Sequence, residues 1–236
     1  MNPLERAPVL RGLLLTDYES RITHARRWAL SELTEVHRQI EVCTKCGLWK
    51  SRTRAVPGAG DPEARLMFVG EGPGFHEDRQ GLPFVGAAGH LLDSLLEDIG
   101  LDRSEVFITN IVKCRPPGNR DPQPTEIDAC TPYLDRQVAI IRPAVIATLG
   151  RFSMAHFLGP EVTISRVHGR PQRRQGRIIY PLFHPAAALR QEHYRLALEE
   201  DFRRLHEVLA EADRLAAGED EGPPLPPPPP SQLTLF

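Results

Sequence analysis

The sequence predicts an α/β fold: a three-layer α/β/α sandwich with a central four-stranded parallel sheet. Four short apolar runs rich in β-branched residues predict the strands, and helical patterns separate most of them. Strands that alternate with helices favour a parallel sheet that is covered on both faces. The predicted strands are Arg65–Gly70, Val106–Asn110, Ala144–Gly150 and Ile178–Phe183.

The helices are predicted from apolar residues at helical spacing and from signals at the helix ends. A first helix starts at about Ser31 and runs toward the first cysteines. A leucine-rich face over residues 91–99 is closed by Gly100, and Thr125–Asp128 is typical of a capping box that opens the next helix. The last helix is predicted as one piece, from about Glu192 to Ala216, because its apolar residues share one face. Those residues are Leu198, Phe202, Leu205, Leu209 and Ala212.

The distribution of charge divides the chain into three parts. The formal net charge of the 236 residues is -2, which by itself argues against a nucleic-acid ligand. Residues 199–221, however, contain nine acids and three arginines, so residues 1–198 carry a net charge of +4. We predict an N-terminal extension over residues 1–30 with at most a helix, a folded domain over residues 31–210, and an acidic, proline-rich, disordered tail over residues 211–236.

Hydropathy and cysteine spacing indicate where the protein works and what it could hold. No apolar run approaches the roughly 18 residues of a membrane span, and no secretion signal is recognisable, so we expect a cytoplasmic protein. In a reducing compartment, cysteines are more often metal ligands, catalytic or buried than paired in disulfides. Two residues separate Cys43 from Cys46, and fifteen separate Cys114 from Cys130. This spacing suits either structural zinc or an iron–sulfur cluster.

Polar side chains and glycines follow the predicted strands. Glu71, Asn110 and His184 each lie at or just beyond the end of a strand. Because the carboxyl ends of parallel strands meet at one edge of a sheet, we expect these three side chains to share a ligand-binding crevice. Glycines beside Glu71 would let a ligand approach the backbone closely. These glycines are Gly70, Gly72 and Gly74.

Six linked motifs resemble, in order and spacing, those of the family 4 uracil-DNA glycosylases, the iron–sulfur type. They are Cys-x2-Cys, Gly-Glu-Gly-Pro-Gly-x-x-Glu-Asp, Gly-x-Pro-Phe-Val-Gly, Ile-Thr-Asn-Ile-Val-Lys-Cys-Arg-Pro-Pro, the later cysteine and the His-Pro-Ala segment. The resemblance covers about residues 30–206. It implies a monofunctional, monomeric repair enzyme that flips uracil out of DNA and hydrolyses its N-glycosidic bond, leaving an abasic site. It also implies a structural 4Fe-4S cluster and no catalytic metal; the cluster ligands would be Cys43, Cys46, Cys114 and Cys130.

The same resemblance implies roles for residues of the crevice. Phe84 would stack on the extruded uracil, and Asn110 would read the O4 and N3 edge, because a carboxamide offers an acceptor and a donor that match uracil and not cytosine. His184 would face O2, where a donor stabilises the negative charge that grows as the base departs. The resemblance leaves open whether Glu71 or Glu77 orients the attacking water, since Gly72 stands where the family 1 motif has its aspartate. Glu77 could instead crowd the C5 position of the base and exclude thymine.

Residues around the crevice would hold the DNA. Leu189 or Arg190, just after the His-Pro segment, resembles the side chain that wedges into the base stack in relatives. Phosphates would be gripped by nearby arginines and backbone amides. The candidate arginines are Arg115, Arg120 and Arg151.

The tail carries a separate prediction. Gln232–Phe236 resembles the short peptide with which repair proteins dock on the replication sliding clamp. It follows Gly222–Ser231, a spacer with seven prolines that would reach roughly 30 Å if extended. We therefore expect a sliding clamp as a partner and a location at the nucleoid.

Two alternatives to this function are kept. One is an iron–sulfur protein that binds nucleic acid and has lost catalysis. The other is an enzyme of the same superfamily that acts on other deaminated or mismatched bases.

Overall fold

The computed structural model describes residues 27–218. The predicted clamp peptide and most of the predicted N-terminal extension lie outside this range. Helix α1 occupies residues 27–41 and so starts before Ser31, where the sequence predicts its start. The earlier start follows from Ala29, which is buried one turn ahead of Leu33 on the same face of the helix.

A mixed sheet of six strands forms the centre of the described chain, in the order β1-β3-β2-β4-β6-β5. The four inner strands are parallel and correspond to the four predicted ones. Two very short antiparallel strands, β1 and β5, extend the sheet at its edges and are not predicted from the sequence. The strands are β1 (Ala59–Gly60), β2 (Leu66–Gly70), β3 (Phe107–Asn110), β4 (Val145–Leu149), β5 (Gln172–Arg174) and β6 (Arg177–Leu182).

Eight further α-helices and three short 3-10 helices connect and cover these strands within the described residues. The capping of α4 differs slightly from the prediction: the helix begins at Pro124, and the carboxylate of Glu126 accepts a hydrogen bond from the backbone N–H of Gln123, 2.8 Å away. The helices are α2 (Phe75–Gln80), α3 (Ala87–Asp98), α4 (Pro124–Ile141), α5 (Arg151–Leu158), α6 (Ile164–Val167), α7 (Pro185–Ala188), α8 (Glu192–Arg203) and α9 (Leu205–Ala216).

The prediction of one long C-terminal helix is wrong, because the helix is interrupted at Arg204, which separates α8 from α9. Arg204 is buried, and its guanidinium donates to the carbonyl of Gly169, 3.1 Å away. The apolar face continues across the break through Phe202, Leu205 and Val208. Continuous apolar spacing therefore hides the interruption from the sequence.

The core consists of one apolar layer on each face of the sheet, as the three-layer prediction requires. On one face Met67 and Val69 of β2 pack with residues of α1, α4 and α5. On the other face Leu66 and Phe68 pack with residues of α3, α8 and α9. This alternation along β2 places helices on both sides of the parallel strands.

Between residues 27 and 218, no helix is both long and apolar enough to cross a membrane.

Candidate active site

An open cleft of about 590 Å³ lies at the carboxyl edge of the parallel strands. Residues at or just beyond the ends of all four parallel strands line it. Gly70 and Asn110 are partners in the register of β2 and β3, which brings Glu71 and Asn110 side by side. The lining also contains the predicted Gly72, Gly74, Glu77, Phe84 and His184.

Phe84 forms an aromatic wall of the cleft. Its ring stacks against the imidazole of His184, with 5.8 Å between the ring centroids and 28° between the planes. The ring also covers Gly70, where an added Cβ would lie 2.7 Å from the phenyl ring and 2.4 Å from Oδ1 of Asn110. Only glycine fits at Gly70, so its role is to let Phe84 and Asn110 approach the backbone of β2.

The backbone around Phe84 is held from both sides in an unusual conformation. Phe84 has φ of 51°, in the left-handed region that a non-glycine residue rarely adopts. Arg103 donates to the carbonyl of Phe84 at 3.0 Å and to that of Pro83, and is itself oriented by the carboxylate of Asp93 at 2.6 Å. These contacts fix the carbonyls that precede and follow the strained residue.

Glu77 holds the other half of the same loop. Its Oε1 accepts hydrogen bonds from the backbone N–H groups of Val85, at 2.9 Å, and Gly86, at 2.8 Å. One carboxylate oxygen of Glu77 is thus engaged in positioning the loop that carries Phe84.

Asn110 presents a buried acceptor that lacks a partner. Its side chain is 1% exposed, and its Oδ1 has no hydrogen-bond partner within the protein. Buried polar atoms are rarely left unsatisfied, so such an atom at a cleft wall marks a place for a ligand donor. The backbone carbonyl of Asn110, by contrast, accepts from Nζ of the buried Lys113 at 2.8 Å.

His184 is neutral and has a defined tautomer. Its Nδ1 accepts the backbone N–H of Ala186 at 3.1 Å, so the single proton of the neutral ring belongs on Nε2. Burial lowers the pKa of His184 to about 4, although the nearby carboxylate of Glu77 acts in the opposite direction. At physiological pH the ring is therefore a neutral donor.

Glu71 has a carboxyl group that titrates near neutrality. Burial raises the pKa of Glu71 to about 7, and the negative charge of Asp121 adds to this effect. The positive charge of Arg151, which forms an ion pair with Asp121 across the cleft rim, lowers it. Carboxyl groups with such pKa values are suited to proton transfer at neutral pH.

The predicted DNA-contacting residues lie around the mouth of this cleft or next to it. Leu189 follows α7 and is 49% exposed, whereas Arg190 lines the cleft. Arg120 also lines the cleft, but it forms a two-point ion pair with Glu126 at 2.7 and 2.9 Å. Arg115 donates to the side chain of Asn119 at 2.7 Å.

The four cysteines line a second, small cavity behind β3. Burial raises the pKa of Cys130 to about 11 and raises that of Cys114, so a bound cation would be needed to favour their thiolate forms. As they stand, no three His, Cys, Asp or Glu side chains in residues 27–218 form a group that could hold a single metal ion. Three N–H donors point at sulfur atoms: Lys45 at Cys43 (3.5 Å), Arg52 at Cys114 (3.1 Å) and Lys113 at Cys130 (3.2 Å). Four thiols, three of which accept N–H···S contacts, fit the ligand set of an iron–sulfur cluster.

Several residues that build the site are not identified from the sequence. Arg103 and Asp93 act on a loop ten to twenty residues away, a contact that no local pattern reveals. Lys113 stands beside Cys114, yet its ammonium donates to Thr109 at 2.6 Å and Gln137 at 2.7 Å instead of facing solvent. For Lys113, the one signal in the sequence is that lysine is rare, because the chain contains only three.

The fold defines an α/β protein with an open cleft at the carboxyl ends of its parallel strands, the place where such folds bind ligands, and with four cysteines around a separate small cavity. Residues 57–209 match the family model described as the uracil DNA glycosylase superfamily. The chain is 48% identical to the type-4 uracil-DNA glycosylase of Sulfurisphaera tokodaii, over 76% of this chain and 86% of that protein. It is 45% identical to the type-4 uracil-DNA glycosylase of Thermotoga maritima, over 72% and 91% of the two chains. The chain therefore belongs to the type-4 uracil-DNA glycosylase family.

A uracil-DNA glycosylase of another type matches at lower identity and over less of the chain. The type-5 uracil-DNA glycosylase of Thermus thermophilus is 37% identical over 44% of this chain and 56% of that protein.

Proposed function

We propose that this protein is a uracil-DNA glycosylase, which hydrolyses the N-glycosidic bond of uracil extruded from DNA and leaves an abasic site. The observation that carries the proposal is the buried, unpartnered Oδ1 of Asn110, which lies in one cleft with the ring of Phe84 and the neutral imidazole of His184. The activity named for the type-4 relatives supports the same reaction.

The cleft can recognise uracil by shape and by hydrogen bonding. The face of Phe84 offers a surface on which a planar pyrimidine stacks. Oδ1 of Asn110 would accept the N3–H of uracil, and its amide would donate to O4. Cytosine has an acceptor at N3 and a donor at position 4, so it would leave the buried amide mispaired. Mispaired buried groups cost enough free energy to give strong discrimination.

Hydrolysis separates charge, and two side chains suit its two ends. When the bond between the sugar C1′ and the base N1 breaks, its electron pair goes to the uracil ring, and Nε2–H of His184 would donate to the developing negative charge at O2. Water then adds to the positively charged C1′ and loses a proton. Glu71, with a pKa of about 7, is the group we assign to orient that water and accept its proton.

Glu77 is better suited to position the loop than to bind water. Because its Oε1 holds the N–H groups of Val85 and Gly86, moving it would release the loop of Phe84. We therefore assign the water to Glu71 and a positioning role to Glu77.

The absence of a lysine among the cleft-lining residues supports a monofunctional enzyme. A glycosylase that also cuts the strand commonly attacks C1′ with an amine. Lys113, the lysine closest in sequence to the cleft residue Asn110, has its Nζ engaged with Thr109, Asn110 and Gln137. We therefore assign water as the nucleophile.

The DNA would be opened and held at the mouth of the cleft. Extruding a base costs a few kcal/mol of stacking and pairing, and an exposed apolar side chain can fill the gap that remains. Leu189 is exposed and follows α7 directly, so we assign it the wedge, with Arg190 facing the cleft beside it.

We assign the four cysteines to a 4Fe-4S cluster. When bound, it would have a structural role and supply no redox step. Cys43, Cys46, Cys114 and Cys130 would be its ligands, and the N–H donors from Lys45, Arg52 and Lys113 would stabilise their thiolate charge.

We also propose that Gln232–Phe236 docks on the replication sliding clamp, which would bring the enzyme to DNA in the nucleoid. The support is the sequence resemblance alone, since this segment lies outside the described residues.

A direct assay tests the proposed function. A duplex with one uracil is incubated with the protein and then heated in alkali, which cleaves the strand at an abasic site. We expect cleavage that depends on the protein; intact DNA would reject the activity and favour a binding protein without catalysis. Parallel duplexes with hypoxanthine or a T·G mismatch test the other substrates.

A substitution tests the observation that carries the proposal. Asn110→Asp replaces the amide donor with a negative charge and should lower kcat/KM for uracil by about 100-fold or more. Gln175→Glu makes the same chemical change in the exposed turn between β5 and β6 and should leave kcat/KM unchanged. Equal activity of the two variants would show that Asn110 does not read the base.

A further inference from the structure

An exposed aromatic side chain lies beside two guanidinium groups at the start of α2. Phe75 is 45% exposed. Cζ of Arg115 lies 5.2 Å and Cζ of Arg79 lies 5.6 Å from the centroid of its ring. Contacts of this kind restrict the movement of long arginine side chains without neutralising their charge.

This group lies at the rim of the cleft. Phe75 directly follows Gly74, and Arg115 directly precedes Pro116, and both neighbours line the cleft. The ring of Phe75 therefore joins two rim segments, residues 71–74 and 116–121. A strand whose uracil enters the cleft would run past this point.

Arg79 and Arg115 differ from Arg120 and Arg151, the two other arginines predicted to contact phosphates. Arg120 is paired with Glu126 and Arg151 with Asp121. Within residues 27–218, neither Arg79 nor Arg115 has a carboxylate within ion-pair distance. Nε of Arg115 is held by Asn119 at 2.7 Å, so its two terminal nitrogens remain to donate elsewhere.

We propose that Arg79 and Arg115, ordered by the ring of Phe75, form a binding site for backbone phosphates of the DNA strand next to the extruded uracil. A guanidinium that is already held in place loses less entropy when it binds a phosphate, and its planar donors match the phosphate oxygens. The site deepens the proposed function and rests on it. It is separate from the residues that read the base.

The ionic-strength dependence of binding tests the site. Binding of a single strand that contains a non-hydrolysable 2′-fluoro analogue of deoxyuridine is measured by fluorescence anisotropy at several salt concentrations. Arg79→Gln and Arg115→Gln should each weaken binding about 3- to 10-fold. Each should also make the negative slope of log K against log[salt] shallower by about 0.7, because each removes one phosphate contact. Arg38→Gln on α1 makes the same change in net charge, and it should alter neither affinity nor slope by as much.

The role of the ring is tested separately. Phe75→Leu keeps an apolar side chain but removes the aromatic face. It should weaken binding of the DNA strand, and in its presence Arg115→Gln should have a smaller effect on binding. Trp28→Leu on α1, another exposed aromatic, is the matched control. Additive effects of Phe75→Leu and Arg115→Gln would overturn the ordering role.

Neutral methylphosphonate linkages identify the ligand. One such linkage at a time is placed at each position around the uracil. At one position or more, the linkage should weaken binding to the unmodified protein and have little effect on binding to the Arg79→Gln, Arg115→Gln double variant. Equal loss for both proteins at every position would refute the phosphate site. Because these are binding measurements, a protein that binds in this way but cleaves no uracil would refute only the proposed function.

Discussion

Among single residues, Glu71 determines how activity should depend on pH. Its pKa of about 7 is raised above the ordinary value by burial and by Asp121. If the ionised carboxylate handles the water, kcat/KM should rise with pH through about 7 and then level off. His184, with a pKa of about 4, adds no step in this range.

Two substitutions should move the rising limb of this pH profile of kcat/KM in opposite directions. Asp121→Asn removes a negative charge near Glu71 and should shift the limb to lower pH, whereas Arg151→Gln removes a positive charge and should shift it to higher pH. The pH profiles of kcat/KM for the two variants provide the measurement. Shifts in the same direction would show that the limb belongs to another group.

The same carboxyl group should make the fold less stable at high pH. Because the folded-state pKa of Glu71 is raised, its contribution to the free energy of unfolding is present at low pH and is lost as pH rises through about 7. Glu71→Gln should therefore raise Tm relative to the parent protein at pH 8 and change it little at pH 5, while activity falls. Thermal denaturation at the two pH values gives the comparison, and a lower Tm at pH 8 would contradict the assignment.

Arg103 is expected to act through Phe84 and not on the substrate itself. Arg103→Gln frees the carbonyls of Pro83 and Phe84 and should let the backbone leave its strained conformation, raising KM for uracil DNA about 10-fold. In a Phe84→Ala background the same change should have little further effect, because no ring remains to be positioned.

The control for this double-mutant cycle is Arg203→Gln, which removes an exposed arginine paired with Glu200 on α8. If Arg103→Gln costs as much with Phe84→Ala as without it, its role is general stability and not the placement of the ring.

The residues that line the cleft at the strand ends could be predicted, but their supports could not. Glu71, Asn110 and His184 follow strands, and parallel topology alone brings such positions together. Arg103, Asp93 and the buried Lys113 work through contacts between distant segments, and their side chains resemble ordinary surface residues in the sequence.

Strand β3 and the segment that follows it connect the cleft with the four cysteines. Lys113 donates through Nζ to the carbonyl of Asn110 and through its backbone N–H to the sulfur of Cys130. Lys113, in the segment that follows β3, makes both contacts, so a disturbance at Cys130 on α4 would reach Asn110 through a single residue.

Loss of the proposed cluster should therefore affect base binding as well as stability. We expect the purified protein to be brown, to contain about four irons per chain, and to lose both properties in Cys130→Ala. The variant should have a lower Tm and a higher KM for uracil DNA, with a smaller change in kcat. Ser94→Ala, on the exposed side of α3, is a control for small polar side chains. Stoichiometric zinc without iron would refute the cluster.

The inner elements of the fold were predictable because each has a strong apolar pattern, but the edges of the sheet were not. Strands β1 and β5 have two and three residues, too few for any periodicity to appear. The break at Arg204 is concealed because apolar spacing persists through it. Short edge strands and helix breaks depend on tertiary contacts, which the local sequence does not contain.

At the scale of the whole molecule, charge is divided between segments with different tasks. The +4 of residues 1–198 accompanies the cleft and its arginine rim, whereas residues 199–221 carry -6. A net positive charge over residues 1–198 favours the approach of a polyanion, and adding the acidic segment to the sum conceals that charge. The near-neutral total is therefore compatible with binding of a polyanion.

The C-terminal peptide should change where the enzyme works and not how it works. Deletion of residues 232–236 should abolish capture by an immobilised sliding clamp, because Gln232, Leu235 and Phe236 would supply the contacts of the docking peptide. Cleavage of a short uracil oligonucleotide should be unchanged, since the cleft lies wholly in residues 71–194. A scrambled peptide of the same composition controls for length and charge. Capture that survives both the deletion and the scrambling would show that the clamp, if bound, contacts another surface.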